Sequence, residues 1–334
     1  MLRNVCMIDL YGEIQEEVKK AQNILLISHR RPDADTLGAI IALQMWCERL
    51  GKGTKLACVD KPSRIFKFMP RVDQYVDDFD LGEHDLIIIA DAGASYMTNF
   101  HLKYPEMFDG SVPIINIDHH PSNDNFGKIN LVDPRAASAT VVVYRLMKAL
   151  NVNIDEDMAT CLLAGVYSDT GSFMHSNTSQ EVYAVAADLV ELGGRMSEIA
   201  EALFRSNNIN KLKMWGKVLE KAVVTDENVV MSVIQNEDYE AIGGSPDHLS
   251  GVIDYLNMVP GSKFAVLVNE DRKGNVKGSF RTRQNDIDLS RVAAVFGGGG
   301  HAKASGFMME GRLERDNDSY KIVSEDLSKT SLDF

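Results

Sequence analysis

Apolar runs of strand length alternate with longer amphipathic stretches from Ile24 to about Gly194. Ile24 to His29, Leu86 to Asp91, Val112 to Ile115 and Leu162 to Asp169 are runs of nearly continuous apolar residues, three of them ending in imidazole or carboxylate, as expected of strands buried on both faces. Between them, Thr36 to Leu50 and Ala137 to Leu150 carry helical spacing. This βα rhythm predicts an α/β domain built on a parallel sheet. From 196 to 222 the spacing of Ile199, Leu203, Leu212, Trp215 and Leu219 predicts helix, and then the pattern shortens to alternating strands over Val229–Ile234, Phe264–Asn269 and Val276–Arg283. The expected organisation is a first domain over 1–195, a helical linker over 196–225 and a smaller α/β domain over 226–334. The charged, weakly periodic end from Arg312 to Phe334 reads as a surface segment or frayed tail.

Composition narrows the function classes. The 334 residues are 45% hydrophobic and 25% charged, which is ordinary for globular chains. No apolar run approaches the ~20 residues of a membrane helix, and the amino-terminal residues, with Arg3, Asp9 and Glu13, lack the apolar core of a secretory signal. A cytoplasmic protein without membrane contact is expected. Cys6, Cys47, Cys58 and Cys161 form no Cys-x-x-Cys pair, so they read as reduced, buried thiols. A formal net charge of −13 argues against wrapping long duplex nucleic acid, while a small anionic substrate held by local positive charge stays open.

The candidate chemistry lies where the apolar runs end. Asn116-Ile117-Asp118-His119-His120-Pro121 follows one run, His29-x-x-x-Asp33-x-Asp35 another, Asp91 closes a third and Asp169-Thr170-Gly171 a fourth. Open parallel sheets carry their sites at such carboxyl ends. Taken singly, each has a plainer reading: a hydrogen-bonded histidine, a helix cap or an Asx turn. Four together supply enough donors for two metal ions. Mixed aspartate and histidine ligands favour Mn²⁺ or Co²⁺ over Mg²⁺, and a two-metal centre points to phosphoester hydrolysis.

A second cluster lies late in the chain. Gly297-Gly298-Gly299-Gly300-His301 follows the apolar stretch Leu289–Phe296, and a helix starting near His301 would complete a phosphate cradle. Arg281 and Arg283 close a strand with guanidiniums suited to bidentate phosphate contact. The plainer reading is a flexible turn beside solvated charges. His175, after Gly171-Ser172-Phe173-Met174, reads as a surface or packing histidine.

Together, His29 to Ala39, Asp91, Asp118-His119-His120, Asp169 to Phe173 and Gly297 to Gly306 resemble the DHH phosphoesterases in their short two-domain form, over nearly the whole chain. The resemblance implies that His29, Asp33 and Asp91 hold one Mn²⁺ and that Asp35, Asp91, His119 and Asp169 hold the other. It implies that His120 assists protonation of the leaving oxygen. Arg281, Gly299, Gly300 and His301 would recognise the terminal phosphate or nucleotide, with the active site between the domains. The implied substrates are short oligoribonucleotides (nanoRNA) and 3′-phosphoadenosine 5′-phosphate (pAp), with cyclic di-AMP or pApA as the alternative. A homodimer is compatible with the resemblance. A nucleotide sensor that kept the fold is the non-enzymic alternative, and it predicts a lost ligand, whereas every ligand position is filled. Relatives commonly carry a Glu where this chain has Ala139 to Val142, which bears on substrate fit rather than catalysis.

Overall fold

The computed structural model describes residues 7–204, 209–316 and 319–323. It divides into two compact units, Met1–Ser206 and Asn207–Phe334. The first contains α1 (Met7–Lys20), β1 (Asn23–Ile27), α2 (Ala34–Arg49), β2 (Gly53–Ala57), β3 (Leu86–Ala90), β4 (Ile114–Asp118), β5 (Ile129–Val132), α3 (Ala139–Ala149), α4 (Glu156–Asp169), α5 (Gln180–Glu191) and α6 (Met196–Phe204). Its five strands run parallel in the order β2-β1-β3-β4-β5. β3 and β4 are buried at every position, which is why they read as unbroken apolar runs rather than alternating ones. Leu26, Ile88 and Ile117 face one core cluster with α2, α3 and α4, while Leu25, Ile27, Ile87 and Ile89 face another with Phe79 and Phe100. All five strands therefore deliver their carboxyl ends to one edge.

One expected strand is a helix. Leu162 to Asp169 belongs to α4, begun by Asp155, whose side chain accepts from the Met158 amide. A continuous apolar run has no period that separates a buried strand from a buried helix, and α4 is buried from Met158 through Val166. Its close approach to α2 depends on glycine. A Cβ on Gly38 would lie 2.2 Å from the Cys161 carbonyl oxygen, and one on Gly165 would lie 2.5 Å from Asp35 Oδ1.

The second unit contains α7 (Ile209–Glu220), β6 (Val223–Val224), β7 (Val229–Ile234), α8 (Asn236–Ile242), α9 (Val252–Leu256), β8 (Phe264–Glu270), β9 (Asn275–Arg281), α10 (Leu289–Val295), β10 (Gly299–Gly300), β11 (Ala304–Glu310), β12 (Arg312–Asp316) and β13 (Ser319–Val323). Its main sheet is mixed, in the order β10-β11-β9-β8-β7-β6, with β7 and β8 parallel and the other pairs antiparallel. The stretch expected as a linker contributes to two cores: Ile199 packs in the first unit, Met214 and Val218 in the second.

Two further expectations are corrected here. The segment from Arg312 is no tail as far as Val323, because β12 and β13 pair and bury Leu313 and Ile322; an alternation so short is weak in sequence. The rest of that segment lies outside the described residues. No helix starts at His301. The chain turns there into a hairpin, with the His301 amide donating to the Ala304 carbonyl at 2.8 Å. Glycines can prepare a close strand approach as readily as an anion cradle, and Gly300 serves the first: its φ is +136°, and a Cβ would lie 2.7 Å from the Ala304 carbonyl oxygen. Cys47, Cys58 and Cys161 are free and buried, while Cys6 lies outside the described residues.

Candidate metal centre

The carboxyl edge of the first sheet gathers six donor side chains, each held by its own local structure. His29 leaves β1 with Nδ1 2.7 Å from the Arg30 carbonyl oxygen. A carbonyl only accepts, so Nδ1 carries the proton and Nε2 is the nitrogen presented inward. That nitrogen lies 3.3 Å from Asp91 Oδ2 and 3.9 Å from Asp33 Oδ2. Asp33 caps α2, its Oδ1 accepting from the amides of Asp35 at 2.9 Å and Thr36 at 3.1 Å, which aims Oδ2 at His29.

Asp35, two residues on, points to a different place. Its Oδ2 accepts from the Ala139 amide at 2.6 Å and its Oδ1 from the Thr140 amide at 2.9 Å and the Thr140 hydroxyl at 2.7 Å. The amino terminus of α3, with unpaired amides and positive dipole end, thus fixes a fully buried carboxylate. Its Oδ2 lies 4.0 Å from His119 Nε2, which is 3.4 Å from Asp169 Oδ2 at the last residue of α4.

Asp91 stands between the two groups. It follows β3 in a left-handed conformation, φ +59°, which a non-glycine residue adopts at a cost. The conformation directs Oδ2 to His29 and Oδ1 to His119, 3.5 Å from its Nε2. Oδ1 is buried and has no hydrogen-bond partner. The donors form three overlapping sets, each with ligand atoms within 4.8 Å of one another: His29, Asp33 and Asp91; Asp35, His119 and Asp169; and Asp91, Asp118, His119 and His120. An orphaned buried carboxylate oxygen facing imidazole nitrogens fits divalent cations.

Charge in this cluster is strongly perturbed. Burial would push the His29 imidazole down, but Asp91 and Asp33 reverse it and hold it at about 9; His119, buried and facing Asp91 and Asp35, likewise lies at about 9. Burial and the Asp91 charge push Asp35 up to about 7, and burial with Asp35 and Asp91 raises Asp169 well above the usual carboxylate range. Burial works against ionisation of Asp91 too, yet His119 and His29 hold it below that range. Protons here stand where cationic charge is wanted.

One role escaped the sequence. Asp118 Oδ1 accepts from His120 Nδ1 at 2.7 Å, and Asn123 donates to Asp118 Oδ2 at 2.6 Å and to Asn116 Oδ1 at 2.8 Å. Asp118 is a holder of His120, and Asn123 a holder of Asp118. Nothing in the spacing marks Asn123. The Ser138-Ala139-Thr140 cap that seats Asp35 did carry a signal, a Ser before a helical run.

Residues 23–166 match the DHH family, N-terminal domain, and residues 226–328 match the DHHA1 domain. The chain is 32% identical to a Thermus thermophilus protein named bifunctional oligoribonuclease and PAP phosphatase NrnA, covering 92% of this chain and 91% of that one. The chain belongs to the DHH family. A Bacillus subtilis protein of the same name is 24% identical over 88% of this chain and 91% of its own. In fold, this DHH protein is similar to an exopolyphosphatase-related protein from Bacteroides fragilis, with TM-score 0.83, 22% identity and 92% of each chain covered.

The DHHA1 unit of this DHH protein brings its own candidates together. Arg281 ends β9 directly opposite Ala304, so it adjoins the hairpin turn that carries His301, with Gly299 and Gly300 on the incoming arm. Arg281 Nε lies 3.6 Å from Asp254 Oδ1, and His301 and Gly299 are exposed. Arg283, also exposed, lies past the strand end. His175, expected as a surface or packing histidine, is exposed and sits against the Asp169 carbonyl oxygen at 3.3 Å, so it buttresses the α4 end that carries a donor. Among the described residues no helix is long and apolar enough to cross a membrane.

Proposed function

We propose that this protein is a dinuclear-metal phosphoesterase that hydrolyses short oligoribonucleotides to mononucleotides and pAp to AMP. The observation that carries the reading is Asp91, whose two carboxylate oxygens face separate donor sets while one of them, though buried, makes no hydrogen bond. Hydrolase chemistry follows from membership of the family, and the relatives' names supply the substrate class.

His29, Asp33 and Asp91 would hold one divalent cation, and Asp35, Asp91, His119 and Asp169 the other, with Mn²⁺ or Co²⁺ favoured by the imidazole and carboxylate mixture. Such a pair, when bound, supplies an activated water and neutralises charge at phosphorus. The chain's own residues do the rest. Asp118 orients His120, which donates a proton to the leaving oxygen. Arg281 and His301, with the amides of Gly299 and Gly300, take a terminal phosphate or nucleotide of the substrate.

The test is turnover with Mn²⁺ on a short RNA, pAp, pApA, cyclic di-AMP and pyrophosphate, comparing kcat/KM. Fast cleavage of the short RNA with slower release from pAp supports the reading. Preference for cyclic di-AMP or pApA replaces it with a second-messenger phosphodiesterase, and inactivity on all five with a nucleotide sensor.

A further inference from the structure

The chain carries a net charge of −13, and most of the described cations of the first unit are matched. Arg49, Arg71, Arg135, Arg145 and Arg195 each lie against a carboxylate. So does every described lysine of that unit except Lys52, Lys61 and Lys67, and Lys52 donates to the Lys19 carbonyl. Among the described residues of the first unit, the cations that lie against neither are Arg30, Arg31, Lys61, Arg64 and Lys67. All five are exposed.

They are also neighbours. Arg30 and Arg31 lie in the loop after β1, between His29 and Asp33; Lys61, Arg64 and Lys67 lie in the segment after β2, the strand paired with β1. The two loops are joined, because the Arg31 amide donates to Asp60 Oδ2 at 2.8 Å and the Cys58 thiol donates to the His29 carbonyl at 3.3 Å. A third loop, after β3, is tied in by the Arg30 amide donating to the Met97 carbonyl at 2.9 Å, and it presents Tyr96 with 59% of its surface exposed. Unmatched cations on joined loops, with an exposed aromatic ring among them, are the elements by which single strands are held: charge for the backbone and a ring face for a base. The metal donors His29 and Asp33 flank the arginines, so the patch begins where the chemistry would occur.

We infer that this edge of the first unit is a track for single-stranded RNA, in which Arg30 and Arg31 hold backbone phosphates beside the metal donors, Lys61, Arg64 and Lys67 hold phosphates further along the strand, and Tyr96 stacks on a base. The inference rests on the oligoribonuclease reading and adds to it a reason for preferring chains of several residues. On such a track a mononucleotide such as pAp, with a single nucleoside, engages fewer of these cations than a longer chain does. Affinity should rise with RNA length and fall with salt.

The experiment compares wild type with the triple variant Lys61→Gln/Arg64→Gln/Lys67→Gln and, separately, Tyr96→Ala, after thermal unfolding shows that each is folded. Steady-state kinetics with Mn²⁺ on pAp and on a five-residue RNA are read beside fluorescence anisotropy of the same RNA carrying a 5′ label. The triple variant is expected to raise KM and weaken binding for the RNA about tenfold, with kcat unchanged and pAp kinetics within twofold. Its log-affinity against log-salt slope should be shallower by about 2. Tyr96→Ala should weaken RNA binding about tenfold and Tyr96→Phe should restore it. Equal losses on pAp and the RNA, or none on the RNA, would overturn the track while leaving the function standing. If wild type cleaves neither substrate the function reading fails instead, and anisotropy alone decides the track: loss in the variants supports it, and equal binding by all forms removes it.

Discussion

Asp91 and His301 differ in the ways that matter most for what each is proposed to bind. The first is buried at a strand end, locked in an uncommon backbone conformation, with imidazoles on two sides. The second is exposed at a hairpin turn beside glycines whose conformation no other residue would adopt easily. A doubly charged ion repays desolvating several carboxylates only if they already stand in place. A substrate that arrives and leaves each turnover is better met by accessible amides and long flexible cations. On the proposed function, the two units would divide the work into a rigid ion-holding part and an open phosphate-receiving part.

The sharpest way to break that division is at Asp91. Asp91→Ala is expected to lower kcat by on the order of 10³-fold, and a variant with near-normal rate and unchanged metal dependence would end the two-ion model. Thr140→Val comes next. It removes the hydroxyl that fixes Asp35, and metal titration should show affinity for one ion weakened about 10–100-fold with the other little changed; equal weakening of both would mean that the sets are not separate. At the open side, Arg281→Gln should raise KM about tenfold for substrates with a terminal phosphate, or ~1.4 kcal/mol, and much less for neutral-ended phosphodiesters. Identical effects on the two kinds would take Arg281 out of phosphate recognition.

The mildest contrast is in pH. His29 and His119 lie at about 9 in the folded protein against 6.5 for the free side chain, so the stability they contribute is complete below about 6.5 and is lost as pH rises through 9. Asp35, raised from 3.8 to about 7, acts in the same direction over the lower range. Metal-free protein should therefore lose stability in the first unit as pH climbs toward 9. Mn²⁺ should reverse the trend, since binding displaces those protons and tightens with pH. Calorimetric unfolding with chelator and with Mn²⁺ reads both slopes, and a metal-free first unit that gains stability from pH 6.5 to 9 would contradict the charge assignment.

What could be read from sequence followed what each pattern encodes. β3 and β4 were legible as unbroken apolar runs, and β7, β8 and β9 began and ended within two residues of expectation because their flanks change sharply in polarity. The donors were legible as residue types at run ends. α4 was not, since an all-apolar segment looks alike in either form, and Asp169 reaches the cluster from a helix rather than a strand. The β12–β13 hairpin was hidden because, among its described residues, Leu313 and Ile322 are the buried apolar positions among charged neighbours. The partner of Asp35 was hidden for a different reason: Thr140 lies far along the chain from Asp35, and hydrogen bonds across such separations leave no periodic trace.

The backbone at Asp91 has a consequence for the life of the molecule. A left-handed non-glycine residue costs the ion-free fold on the order of 1–3 kcal/mol, and cations at a hundred times their dissociation constant would return ~2.7 kcal/mol. Folded chain and loaded chain are thus coupled quantities. When divalent ions are scarce, the protein would open more often and meet proteases sooner, so that the supply of the proposed ions in its surroundings would set how long each copy lasts as well as how fast it works.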